Sequence, residues 1–211
     1  MIKKIGIGLI ITIMVSQLTF GQTKVYNGAF KSLNFAGNVT YNYIEEPEKR
    51  IFSGPFIFKT SNHSLNISGN YLNDLKNGIW KYLLTNVEYS DLIMKYTINA
   101  EVLGSFKDGN LDGTWTLSRT KIISFSNNGV SEYYQFNLNA LSYMFDGNII
   151  DFKKSTTMTE KCTANFENNR FAGSFYYSVN NEKSIVTGQF NEQGYFDGTW
   201  TVNYFQDGIL H

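Results

Sequence analysis

One cysteine, two prolines and two histidines are all that 211 residues contain of those types. A single thiol, Cys162, permits no intramolecular disulfide, so the fold must hold by packing and hydrogen bonding alone. In Lys161-Cys162-Thr163-Ala164 it reads as a small strand residue facing the core, with no neighbour to lower its pKa. His63 and His211 lie far apart without ligand spacing, which with one cysteine argues against zinc. His63, in Ser61-Asn62-His63-Ser64, reads as an exposed loop or strand residue rather than a catalytic base. No Gly-x-Ser-x-Gly elbow and no P-loop occurs. Charge is scarce too, at 17% of residues, with 18 basic against 18 acidic. A nucleic-acid partner needs a basic face, and a membrane-surface anchor needs a polybasic run; neither is present.

The chain also lacks a hydrophobic run long enough to span a bilayer. Ile5 to Val15 is apolar, but 11 residues fall short of the roughly 20 required. Lys3 and Lys4 precede this stretch, polar Ser16, Gln17 and Thr19 follow it, and Thr19 and Gly21 occupy the −3 and −1 positions of a cleavage site. Residues 1–21 are therefore expected to be a signal peptide, with Gln22 as the new N-terminus. A lipoprotein would need cysteine there, so no stable membrane anchor is expected after cleavage, and the expected location is periplasmic or secreted. Losing Lys3 and Lys4 leaves 16 basic against 18 acidic residues, a net of −2. No Pro/Ser-rich linker interrupts 22–211, which reads as a single domain, and Pro47 marks a charged loop tip in Glu45–Arg50.

What the chain has is aromatics, at 16%, with 17 Phe, 14 Tyr and 3 Trp. They recur in a degenerate repeat. Gly69-x-Tyr71 leads to Gly78-x-Trp80, Gly104-x-Phe106 to Gly113-x-Trp115, and Gly188-x-Phe190 to Gly198-x-Trp200. Weaker copies run from Gly28-x-Phe30 to Gly37-x-Val39 and from Ala164-x-Phe166 to Gly173-x-Phe175. Half-copies sit at Phe52-Ser53-Gly54-Pro55-Phe56 and Phe145-Asp146-Gly147-Asn148-Ile149. Every Trp falls two residues after a second glycine. Alternating apolar residues follow that glycine, as in Trp200, Val202 and Tyr204, which is the period of a half-buried strand. The same alternation covers 51–58, 93–103, 133–143 and 183–190. Asn, Asp and Gly between the two halves close tight hairpins. Each unit thus reads as strand, turn, strand, with the first glycine letting a large ring lie across a neighbouring strand or marking a bulge. The rings beyond each second glycine are expected to point inward and join successive ribbons, because one hairpin alone is marginal in water. No stretch shows the 3.6-residue period of a helix.

Strings such as Asn77-Gly78-Ile79-Trp80-Lys81-Tyr82 and Asp112-Gly113-Thr114-Trp115 resemble MORN repeats, and more closely the divergent bacterial, antitoxin-like versions. The resemblance touches most of residues 25–205, strongly in three units. It implies an all-β, elongated antiparallel sheet of successive hairpins, with scaffolding, partner-binding and sometimes lipid-contact roles. The irregular spacing of second glycines, 17 to 35 residues, departs from the family's regular period.

Chemistry is sparse. Asp108-x-Asn110-x-Asp112-Gly113 opens like a calcium loop, but Arg119 occupies the position that should supply a carboxylate, and the segment reads as a hairpin turn. Glu88, Asp91, Glu101, Asp151 and Glu182 are candidates for a glycosidase-type carboxylate pair, and read as solvated residues of a half-exposed sheet. Tyr89, Tyr96, Tyr134 or Tyr176 could form a platform for sugar rings. The sequence thus points to an exported, non-enzymatic binding or scaffolding module for an unknown protein or cell-envelope partner, without metal or cofactor. A glycan-binding module is the alternative, and an envelope hydrolase with a carboxylate pair is the third.

Overall fold

The computed structural model describes residues 22–32, 35–90, 94–125, 156–206 and 209–210. Among them there is no helix. Twelve strands form one open sheet in which each strand lies beside its neighbours in sequence. They are β1 (Thr23–Ser32), β2 (Phe35–Glu45), β3 (Arg50–Thr60), β4 (Leu65–Leu72), β5 (Leu75–Ser90) and β6 (Met94–Lys107), followed by β7 (Asn110–Phe125), β8 (Thr156–Glu167), β9 (Arg170–Val179), β10 (Ser184–Phe190), β11 (Phe196–Gln206) and β12 (Ile209–Leu210). All pairings are antiparallel. At about 4.8 Å per strand the sheet is roughly 50 Å wide. The half-copy at Phe145–Ile149, the alternation at 133–143, Tyr134, Asp91 and Asp151 lie outside the described residues.

Period-two alternation gives the sheet two unlike faces. Across one runs the row Ile67, Tyr82, Val102, Leu117, Cys162, Tyr177, Val186 and Val202, strand by strand from β4 to β11. The opposite face carries residues such as Thr116 beside Thr163 and Ser118 beside Lys161. The tightest apolar cluster is Val39, Phe58 and Leu65, with Ile67 and Leu84 against it. Successive ribbons are joined edge to edge rather than stacked, and no second layer of described residues covers the apolar face. Burial is uneven as a result. Trp80 is only 1% exposed, whereas Trp115 and Trp200 remain half-buried.

The repeat has a geometric definition. In β4–β5, Ser68 pairs with Lys81 and Asn70 with Asn77, so Gly69 faces three residues and the second strand carries two extra. The same shift occurs opposite Gly104, Asn165 and Gly188, and opposite Asn42 in β2–β3. A bulge needs a sharp local turn, and the second glycines Gly78, Gly113, Gly173 and Gly198 supply it with φ between +62 and +72°. Here the Gly28–Gly37 reading is corrected. β1 and β2 pair over ten residues without a shift, and Gly37 has no positive φ. That hairpin turns at the opposite end of the sheet. The unit in this part of the chain is β2–β3, with Tyr41 in the first-glycine place and Phe56 in the Trp place. The Phe52–Phe56 half-copy is therefore the second strand of a whole unit.

Candidate binding face

Each Trp lies flat on the first glycine of its unit. A Cβ built on Gly69, Gly104 or Gly188 would come within 2.2, 2.0 and 2.2 Å of the rings of Trp80, Trp115 and Trp200, closer than any real contact. Where alanine replaces that glycine, at Ala164, the partner is the smaller Phe175. The flat orientation aims the indole N–H at the backbone one residue on. Trp80 Nε1 donates to the Asn70 carbonyl and Trp115 Nε1 to the Ser105 carbonyl, each at 3.1 Å. Trp200 Nε1 is buried without a partner among the described residues.

Upright rings stand between the flat ones. Tyr71 and Phe106 meet Trp80 at 86° and 78°. Phe106 also meets Trp115 at 87°. Phe190 and Phe196 flank Trp200 at 79° and 86°. Edge-to-face contacts place positive ring edges against negative ring faces. The ladder is continuous from Tyr26 and Tyr41 through Phe52, Tyr71, Trp80, Phe106, Trp115, Phe166, Phe171 and Phe190 to Trp200, with centroids 4.6 to 6.3 Å apart. Its β11 end is open: Phe196 is 73% exposed and Val202 61%.

Cations are set into this face. Lys76 Nζ sits 4.6 Å from the Trp80 ring centre and 4.9 Å from that of Phe106, and donates to the Tyr82 hydroxyl at 2.9 Å. Arg50 lies over Tyr43 at 4.7 Å, and Lys121 over Tyr96 at 4.2 Å. Ring quadrupoles attract such cations. Arg119 and Glu160 oppose each other on the same face and form an ion pair. Beside them, burial followed by the Glu160 charge pushes the Tyr177 hydroxyl up, and burial pushes the Cys162 thiol up. Cys162 is thus a half-buried strand residue of the apolar face whose environment disfavours the reactive thiolate. Burial raises Tyr71 as well.

Other candidate groups are dispersed. Glu88 is ion-paired with Lys95 and Glu101 with Lys81, and Glu182 accepts from the Tyr176 hydroxyl. Tyr176 lies on the polar face while Tyr96 lies on the apolar one, so these two do not form one platform; the Tyr89 side chain is outside what is described. His63, at φ +57° in the β3–β4 turn, borders two open depressions of about 520 and 410 Å³. Asp108 is the first residue of a two-residue turn, and the Asn110 side chain accepts from Asn169. Among the described residues no group of three His, Cys, Asp or Glu could hold a metal ion.

Sequence reasoning missed a further set of contacts. The second residue of each two-residue turn reaches back to the preceding hairpin. Asp74 N–H donates to the Phe52 carbonyl, and its carboxylate accepts the Phe52 N–H at 2.6 Å. Asn169 does the same to Leu111, at 3.0 and 2.6 Å. Gly109, lacking a side chain, makes only the first bond, to the Lys76 carbonyl. The turn residues were legible as hairpin closers, but partners 22 and 58 residues away were not. Comparison with protein-family models and with curated protein sequences finds no match.

Proposed function

We propose that this chain is an exported, non-catalytic binding module whose aromatic face holds a protein or cell-envelope partner. One observation carries the reading: a continuous aromatic ladder lies on one side of a single-layer sheet and ends in an open apolar shelf at Phe196 and Val202. Solvent-facing apolar surface of this kind marks an interaction site. Export is supported by the leader pattern of residues 1–21, and the repeat role by the MORN-like strings at Trp80 and Trp115. Among the described candidates, Glu88 and Glu101 are each ion-paired with a lysine and Glu182 accepts from Tyr176, which favours binding over hydrolysis.

The test is capture from the envelope fraction of the source cells with the purified protein as bait. A stoichiometric protein partner, lost on Phe196→Glu with the melting temperature held within a few degrees, is the expected result. Recovery of polysaccharide alone, weakened by the same substitution, would replace this reading with the glycan-binding one. Equal capture by both forms would remove the shelf from the site.

A further inference from the structure

The two edges of the sheet are guarded differently. At one side β11 carries a bulge, and β12 folds back onto Phe205 and Gln206. At the other side β1 is ten residues long, pairs with β2 without a single shift, and contains neither proline nor bulge. Its one lysine on the apolar face, Lys24, is neutralised by Glu45. Among the described residues β1 has a neighbour on one side alone; a long strand with an open row of N–H and C=O groups is a template for another strand, and proteins that stay monomeric normally blunt such edges. Val25 and Phe30 on this strand are 63% and 40% exposed.

We infer that β1 is a dimerisation edge, pairing antiparallel with β1 of a second copy of this chain. The pattern of the strand is self-complementary. A twofold axis perpendicular to the sheet through Gly28 keeps both apolar faces on one side. It sets Gly28 against Gly28, Tyr26 against Phe30 twice, Asn27 against Ala29, and Val25 against Lys31. Tyr26 and Phe30 share the face of Tyr41 and Phe58, on which they already pack. Both cross-strand aromatic pairs therefore extend the ladder without a break into the second copy. Centring the axis one residue earlier opposes Tyr26 to Gly28 and Lys24 to Phe30, losing both aromatic pairs. Centring it on Tyr26 or on Phe30 leaves one. No lysine faces a lysine in the Gly28 register. A twofold contact is closed, so assembly stops at the dimer.

Sedimentation velocity on the purified protein should give twice the monomer mass, falling to the monomer on dilution. For the register, Gly28→Cys in a Cys162→Ala background should form a disulfide-linked dimer on mild oxidation. Asn27→Cys in the same background should not, because its two copies would lie on a diagonal beyond disulfide reach. The nearest atoms to a Cβ added at Gly28 are those of the Tyr26 ring, which must shift to admit it. Three results would overturn the inference: a monomer at every concentration, a mass that climbs without limit as β1 adds to β11 of the next copy, or a dimer that cross-links at Asn27 and not at Gly28. The mass measurement stands even if the cysteine variants fold poorly.

Discussion

At the scale of single residues, the molecule depends on matching a ring to the absence of a side chain. Trp115 rests on Gly104, and a methyl group there would enter the ring plane at 2.0 Å. Gly104→Ala should therefore cost about 1–3 kcal/mol, the usual range for overpacking. The unit built on Ala164 and Phe175 shows the other solution: a smaller ring over a small side chain. Gly104→Ala combined with Trp115→Phe should accordingly be more stable than the sum of the single losses. A coupling of roughly 0.5–3 kcal/mol in a urea-denaturation cycle is the expected value. Strict additivity would show that ring and glycine do not compete for space. This coupling was readable in the sequence, because all three Trp residues follow a second glycine and each such unit begins with another. The rotation of the indole N–H onto the Asn70 and Ser105 carbonyls was not, since period two gives the face of a residue and not the tilt of its ring.

At the scale of elements, the hairpin is the repeated object, and its registers follow from where the extra residues sit. The nine-residue spacing from Gly69 to Gly78 fits a two-residue turn at Asn73 and Asp74, both at positive φ. The ten-residue spacing from Gly188 to Gly198 fits the longer turn closed by Asn191 and Tyr195. The misphased copy at Gly28 has a plain cause. Gly-x-aromatic strings arise on any strand with rings on one face, and only the bulge separates the two kinds of hairpin. The bonds between hairpins lie beyond local pattern altogether. Asn169 binds both backbone groups of Leu111, and Asn169→Gly would keep the turn's backbone while removing the side-chain acceptor. The substitution also removes the bond that the Asn169 amide donates to Asn110 Oδ1, so the loss should be about 1–3 kcal/mol, as for two net hydrogen bonds, read as a shift of the urea midpoint at unchanged slope. Gly109 already has the truncated arrangement, so Gly109→Ala, which adds no acceptor and strains a positive φ, should not reproduce that loss by the same route. If Asn169→Gly leaves the midpoint where it was, water replaces the side chain and the contact is not a staple.

Taken as a whole, the sheet is one-dimensional among the described residues: every strand is paired only with its neighbours in sequence, and no second layer ties distant strands together. Stability in such an array is close to a sum of local terms and nearest-neighbour interfaces, so opening proceeds inward from an end. The central strands β5, β6 and β7 span 16, 14 and 16 residues, against 7 and 11 for β10 and β11. Trp80 and Ala100, both buried, lie on two of them. Native-state hydrogen exchange should therefore find its slowest amides in β5–β7, with protection falling stepwise through β9 to β11. Trp80→Ala should lower protection across β4–β6 while leaving the β10–β11 amides nearly unchanged, because the perturbation must pass through several interfaces to reach them. Equal loss of protection in every strand would mean that the sheet opens as one cooperative unit. The open ladder would then be held by something more than contacts between neighbours, and an occupant of the aromatic face becomes the first thing to look for.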